Sequence, residues 1–442
     1  MKIVGRVAAA LQDVFGKFAG TAANLSGVIQ RRRKFTDVSL AQTFVLGFLQ
    51  NPDASDEELA QVAVQVGADV TPQAIDQRHT PKLVSFLEEL FRAATKLVIG
   101  SDKALAPVLE RFANVTVLDS STITVPDSME GQFRGCGGSY NSGVAALKLQ
   151  TEMDLRTGAL THVEIEPGRS PDGATSRQQA RRGPGSLRIT DLGYFNLTVF
   201  AGMMLANEYF LSRLQFGTGV LLSEEEPVEV LSWLEKQRVS FVDRRVLLGV
   251  QQRLPCRLIA WRVPEEHANR RRQKLRQEIM RKRNQEPSAE RLAWCDWTIL
   301  VTNTSVEIMT PKEAVVLYRA RWQIELLFKR WKSQDLVAVL SGSTQVRQMV
   351  RVWARLLAAL IQHWLVVASV WGDPTKSLSK VCEAVRLFAA RMAAVLGRPR
   401  ELHRVIADLC HVVAKTCRRN KRRNPGTFEL LNDVSLLDFR LT

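Results

Sequence analysis

The feature that most constrains this chain is the stretch TPKEAVVLYRARWQIELLFKRWKS, residues 310–333. Thr310 is a good N-cap, Pro311 suits the first helical position and Glu313 completes a capping box, so a helix is predicted from local signals alone. Tyr318, Arg321, Glu325 and Lys332 follow the spacing Y-x2-R-x3-E-x6-K. At 3.6 residues per turn those four fall within a stripe about 60° wide. Ile324, Leu327, Phe328 and Trp331 occupy the rest of the circumference. Alone, such a stripe reads as a solvated face of ion pairs, each worth little.

Two further carboxylates change that reading. Asp119 follows the apolar run 115–118 and precedes Ser120-Ser121-Thr122, while Asp191 follows Arg188-Ile189-Thr190 and leads into Leu192-Gly193-Tyr194. Both are expected at strand ends. A single Asp after a strand is commonly a turn residue. Two on strands, joined by Glu325 on a helix, form the hard oxygen donor set that two-metal phosphoryl chemistry requires, with Mg²⁺ or Mn²⁺ held at about 2.1 Å.

In their order, LDSST, ITDLGYF and YRARWQIELLFKRWKS, the motifs make the chain resemble the Tyr-Arg-Glu-Lys branch of the DDE transposases, the insertion-sequence-four family. The resemblance runs from about residue 115 into the C-terminal helices. It implies an α/β, ribonuclease-H-like catalytic core interrupted by a β-rich insertion and flanked by helical regions. It further implies that Asp119, Asp191 and Glu325 are catalytic and bind two Mg²⁺ ions, with Mn²⁺ able to substitute. Tyr318, Arg321 and Lys332 would grip phosphates, Trp322 would stack on a flipped base, and Trp297 would fill the gap left by that base. For Trp297 ordinary core packing stands beside this role. Arg213 is a further candidate DNA contact. The implied partners are double-stranded DNA, as transposon ends and target, and a second copy of the chain in the synaptic complex. Cleavage, hairpin formation and strand transfer in cut-and-paste transposition would follow.

Pattern along the chain agrees with that layout. Residues 1–105 read as helices, 106–222 as the first part of the core, 223–305 as the insertion, 306–345 as the second part of the core, and 346–442 as a helical region. Strands are predicted at 115–118, 145–155, 160–165, 186–190 and 209–214, with a hairpin turn at Arg156-Thr157-Gly158 and a helix at 196–207. Within the insertion, 240–251, 257–263 and 298–302 read as strands. The basic segment 269–284 between them is either a solvated helix or a mobile arm.

Residues 55–80 hold the signals of a helix-turn-helix. Ser55 and Glu58 form a capping box, Gly67 ends the first helix, and Thr71-Pro72 starts a second that bears Gln73, Gln77 and Arg78 as candidate DNA contacts. A plain helical hairpin is the alternative. The adjacent Arg31-Arg32-Arg33-Lys34 run reads as a phosphate-binding arm or a solvated linker.

Lys and Arg number 61 against 45 Asp and Glu, a net charge of +16, which favours a polyanionic partner. No uninterrupted apolar run reaches the roughly 20 residues of a spanning helix, so no membrane is expected and 356–370 reads as a buried helix. The N-terminal segment reads as an amphipathic helix rather than a signal peptide. Six scattered cysteines without a C-x2-C pair suit a reducing cytoplasm. The family resemblance implies a bacterial cytoplasm, with the protein at the nucleoid. His403, Cys410, His411 and Cys417 fit no common zinc spacing. Two competing readings remain: a catalytically silent DNA-binding protein derived from a transposase, and a ribonuclease-H-like nuclease that cleaves without strand transfer.

Overall fold

A computed structural model describes residues 2–30, 34–137, 144–224, 226–237, 239–333, 344–420 and 424–438. Most of the Arg31–Lys34 run, and residues 421–423 of the C-terminal basic run, lie outside the described residues. The chain divides into two compact units. The first comprises Met1–Leu105, Asp119–Ser170 and Gln323–Arg422, and the second Ala106–Leu118, Pro171–Trp322 and Arg423–Thr442.

The first unit is organised around the helix Gln345–Val370, whose Trp353, Leu357, Ile361 and Trp364 are buried. By length and composition this helix could cross a membrane, but most of it is covered inside its own unit. Helices Asp37–Gln50, Pro81–Ala94, Leu378–Val395 and Pro399–Lys415 pack around it. Regions 1–105 and 346–420, read as separate from sequence, therefore share one core. Buried Arg355 ties them, donating to the Asp53 carboxylate at 2.7 Å and to the Pro52 carbonyl. Ionic anchors between segments about 300 residues apart leave no periodic trace in sequence.

Strands β2 (Ala146–Asp154) and β3 (Leu160–Pro167) form the expected antiparallel hairpin in this unit. Gly158 turns it with φ +73°, and a Cβ there would sit 2.4 Å from the Trp371 ring, so both conformation and space demand glycine. Strand β1 (Val115–Thr124) begins in the second unit and continues into the first, where the order is β3-β2-β1.

In the second unit β1 pairs in parallel with β4 (Leu187–Thr190), which pairs in parallel with β5 (Tyr209–Arg213). The sheet continues through β10 (Trp297–Thr302), β9 (Leu254–Arg262), β8 (Phe241–Leu248), β6 (Val220–Ser223) and β7 (Glu226–Val228). The segment 223–305 is thus an extension of the same sheet rather than a separate β body. The reason is β10, which pairs with β5 on one edge and β9 on the other. One apolar cluster spans the junction, with Phe200 stacked on Phe210 at 4.2 Å and both packed with Val246, Leu258 and Trp297. The short strands β6 and β7 and the helix Val230–Lys236 escaped the sequence pattern, being too brief to show a period. The basic segment forms a helix, Glu265–Arg283, with acids in its first turn and cations in its last, as the helix dipole favours.

Candidate active site

In the second unit the site begins at the end of β4. All four residues of β4 are buried, and Asp191 follows in extended backbone conformation, its side chain 44% exposed. This is the strand-end position expected from sequence. Its carboxylate makes no cap bond to the turn Leu192–Tyr194 that follows. Instead it accepts a long hydrogen bond from the Tyr318 hydroxyl at 3.5 Å and lies 3.9 Å from the Arg321 guanidinium.

Those two partners come from the helix Pro311–Ala320 and its C-cap. The helix starts with the anticipated capping box: the Thr310 amide donates to Glu313 at 2.8 Å, and the Glu313 amide to the Thr310 hydroxyl at 3.4 Å. Burial raises the Glu313 pKa, but the hydrogen bonds from Arg111 and Thr310 outweigh it and hold the carboxyl below its ordinary range. Arg111 pairs with Glu313 at 2.8 Å and also donates to the Ile308 carbonyl at 3.1 Å. Arg257 secures the preceding loop, donating to the Thr304 and Met309 carbonyls at 3.2 and 2.9 Å while paired with Asp243 at 2.7 Å. Sequence reading found the capping box and missed Arg111 and Arg257, whose partners lie on distant segments.

Burial pushes the Tyr318 phenol up to about 12, and the Asp191 charge adds to it against the opposing effect of Arg321 and Arg213. The hydroxyl therefore remains a neutral donor at working pH. Arg321 also lies over the Tyr318 ring, 5.9 Å from its centroid. Arg213 ends β5 close enough to act electrostatically on both Tyr318 and Arg271. One carboxylate, one phenol and two guanidinium groups thus gather beside the β4 end, a setting that can bind an anionic ester through its cations.

The expected single helix 310–333 is divided. Pro311–Ala320 and Trp322–Ser333 meet at Arg321, whose amide bonds back to Tyr318 three residues earlier. Arg321 itself keeps right-handed helical backbone angles, φ −49° and ψ −35°, so the interruption is confined to that one residue. Trp322 is 51% exposed, unusual for so large an apolar side chain and compatible with stacking.

In the first unit Glu325 lies in the opening turn of the helix Trp322–Ser333, and Lys332 lies exposed in its last turn. Asp119 is partly buried and accepts a hydrogen bond from the Ser120 amide at 2.8 Å. Contrary to the strand-end expectation, it sits inside β1, which runs on to Thr124 as a neighbour of β2 in the sheet. Among the described residues no group of three His, Cys, Asp or Glu side chains is gathered as a metal cage.

Other expected contacts are placed differently. Trp297 is 3% exposed and packs in the apolar cluster, as the core-packing alternative expects. The second helix of the helix-turn-helix is only Pro72–Asp76; Gln77 is its C-cap and Arg78 lies beyond, over the Phe35 ring at 5.5 Å. Asp76, held by Arg347, belongs to an ion-pair cluster with Asp56. Gln73 and Gln77 are exposed, but the helix is too short to present a full recognition face.

Residues 110–361, more than half of the chain, match the family described as "Transposase DDE domain", and the chain belongs to that family. It is 27% identical over 361 residues to the transposase for insertion sequence element IS231B of Bacillus thuringiensis subsp. berliner, covering 76% of this chain and 74% of that one. It is 24% identical over 439 residues to the IS231E transposase of Bacillus thuringiensis subsp. finitimus, covering 92% and 90%. The IS1151 transposase of Clostridium perfringens is 25% identical over 378 residues, covering 78% and 76%. Transposase activity on DNA follows from this membership.

Proposed function

We propose that this transposase binds the terminal inverted repeats of an insertion sequence and moves it by cut-and-paste, using Asp119, Asp191 and Glu325 as catalytic carboxylates on a ribonuclease-H-like core. One observation carries the reading: Tyr318 and Arg321, two members of the Tyr-Arg-Glu-Lys signature, converge on Asp191. The order β3-β2-β1 in one unit and the parallel run β1-β4-β5 in the other support the fold assignment.

The three carboxylates suit hard cations in donor type, and they would hold two Mg²⁺ ions, with Mn²⁺ as substitute. Bound there, the metal supplies Lewis acidity and lowers the pKa of a coordinated water. The protein's own groups do the rest. Arg321 and Arg213 neutralise the phosphodiester, Tyr318 donates a proton-bearing hydroxyl without ionising, and Trp322 offers an exposed ring for base stacking at about 1–3 kcal/mol. Lys332 adds a phosphate contact. Attack of the freed 3′-hydroxyl on the opposite strand gives a hairpin, whose later opening leaves that hydroxyl for the target. Two protomers pair the transposon ends through their C-terminal helices, and the enzyme works at the nucleoid in the cytoplasm.

The test is a labelled terminal-repeat duplex incubated with Mg²⁺ and followed for cleavage and joining. Asp119→Ala, Asp191→Ala and Glu325→Ala are each expected to abolish both products while retaining binding. Cleavage surviving in Glu325→Ala overturns the three-carboxylate assignment. Binding by the wild type with neither product favours the catalytically silent alternative.

A further inference from the structure

We infer that the outward face of the helix Glu265–Arg283 is a sequence-neutral docking surface for duplex DNA, contacted through Arg270, Lys274 and Arg281. The inference rests on the chain acting on DNA and goes beyond recognition of the terminal repeat.

The helix carries eight Lys and Arg against three Glu. Its two sides are unequal. On the inner side Ala268 is 1% exposed, and Arg271 donates to the Trp297 carbonyl at 3.2 Å and the Thr298 hydroxyl at 3.0 Å. Arg272 pairs with Glu265 at 2.9 Å and with Asp296, and Leu275 and Ile279 are half-buried. These contacts fasten the first turns to the start of β10 and set the rotation of the whole helix. The side turned away therefore presents Arg270, Lys274, Gln277 and Arg281, all exposed and spaced four, three and four residues apart. At about 1.5 Å per residue they form one stripe about 16 Å long.

A solvated face is the ordinary fate of such a stripe, but its charge is poorly balanced. Arg270 pairs only with the exposed Glu266, a contact of small worth, and neither Lys274 nor Arg281 makes an ion pair among the described residues. Glu278 is bonded to Lys282 at 2.7 Å and held below its ordinary carboxyl range by that bond first, with Arg281 and Lys274 also acting on it, so one carboxylate is shared among three cations. What remains is a stiff, anchored row of cations. Duplex DNA presents one negative charge per roughly 1.7 Å of axis, and its major groove, about 12 Å wide, admits a helix. A rigid cationic row gains from that field with little ordering cost, and its Arg and Lys ends reach phosphates irrespective of base sequence.

The experiment measures binding of the full chain to a terminal-repeat duplex and to a scrambled duplex of equal length across a KCl series. For Arg270→Gln/Lys274→Gln/Arg281→Gln, the slope of log affinity against log salt is expected to become shallower by about 2–3, equally on both duplexes. Arg270→Lys/Arg281→Lys keeps the charge and is expected to keep the wild-type slope. Lys236→Gln/Arg244→Gln/Arg253→Gln, exposed at the end of the helix Val230–Lys236, on β8 and in the turn before β9, removes the same charge elsewhere and is expected to do likewise. An unchanged slope in the first variant overturns the inference, as does an equal change in the Lys236 variant. A loss confined to the repeat duplex overturns its sequence neutrality. A wild type that binds neither duplex removes the DNA reading itself.

Discussion

Replacing Arg257 with Met tests whether the loop ahead of the Tyr318 helix is held by one buried cation. The guanidinium, 9% exposed, donates to Asp243 at 2.7 and 3.2 Å and to the Thr304 and Met309 carbonyls. Met keeps most of the apolar stem and removes every donor. Breaking a buried pair on one side costs about 3–5 kcal/mol, because the other charge is stranded. Asp243, 22% exposed, recovers part of that from water, while the two buried carbonyls each lose a partner at about 1–3 kcal/mol. A loss near 4 kcal/mol is therefore expected. Adding Asp243→Leu removes the stranded charge and should return about 2 kcal/mol, the carbonyls remaining unsatisfied. Native-state hydrogen exchange at β8 and β9 amides in the whole chain reads this opening free energy directly. A loss under about 1 kcal/mol, or a double variant no more stable than the single one, refutes the reasoning.

Two further outcomes follow from buried titrating groups. His363, buried in the first unit, is pushed by burial down to about 4 while its Nε2 donates to the Gly158 carbonyl at 2.7 Å. Its folded value lies below the ordinary 6.5, so the unfolded chain binds the proton first. Stability should fall by about 3 kcal/mol as pH drops from 6.5 to 4, and His363→Gln should flatten that slope; an unchanged slope in denaturant titrations sinks the assignment. Tyr318→Phe removes a hydroxyl whose pKa of about 12 keeps it protonated. Cleavage should slow with the shape of its pH–rate profile unaltered below pH 10, whereas disappearance of an ionisation between pH 8 and 10 would show that Tyr318 works as a base.

Much of the fold was legible because its signals are local. The Thr310–Glu313 box, the β2–β3 turn at Gly158 and the apolar runs of β4, β5 and β10 each follow from a few consecutive residues. Asp191 was placed correctly because a strand ending in Thr190 leaves it nowhere else. The continuation of β1 past Asp119 and the interruption at Arg321 carry no local signal, so the strand end and the single helix expected there differ from the structure.

By itself, then, the sequence determined the element types, the basic charge, the order of the three carboxylates and the family to which the chain belongs. Tertiary structure alone decided that Tyr318 and Arg321 meet Asp191, that segment 223–305 extends the sheet, that Trp297 is core, and that the basic helix turns one particular face outward. The division is physical. Caps, turns and periodicity act over a few residues, whereas pairings such as Arg111 with Glu313 or Arg271 with Thr298 join segments whose separation no local pattern encodes.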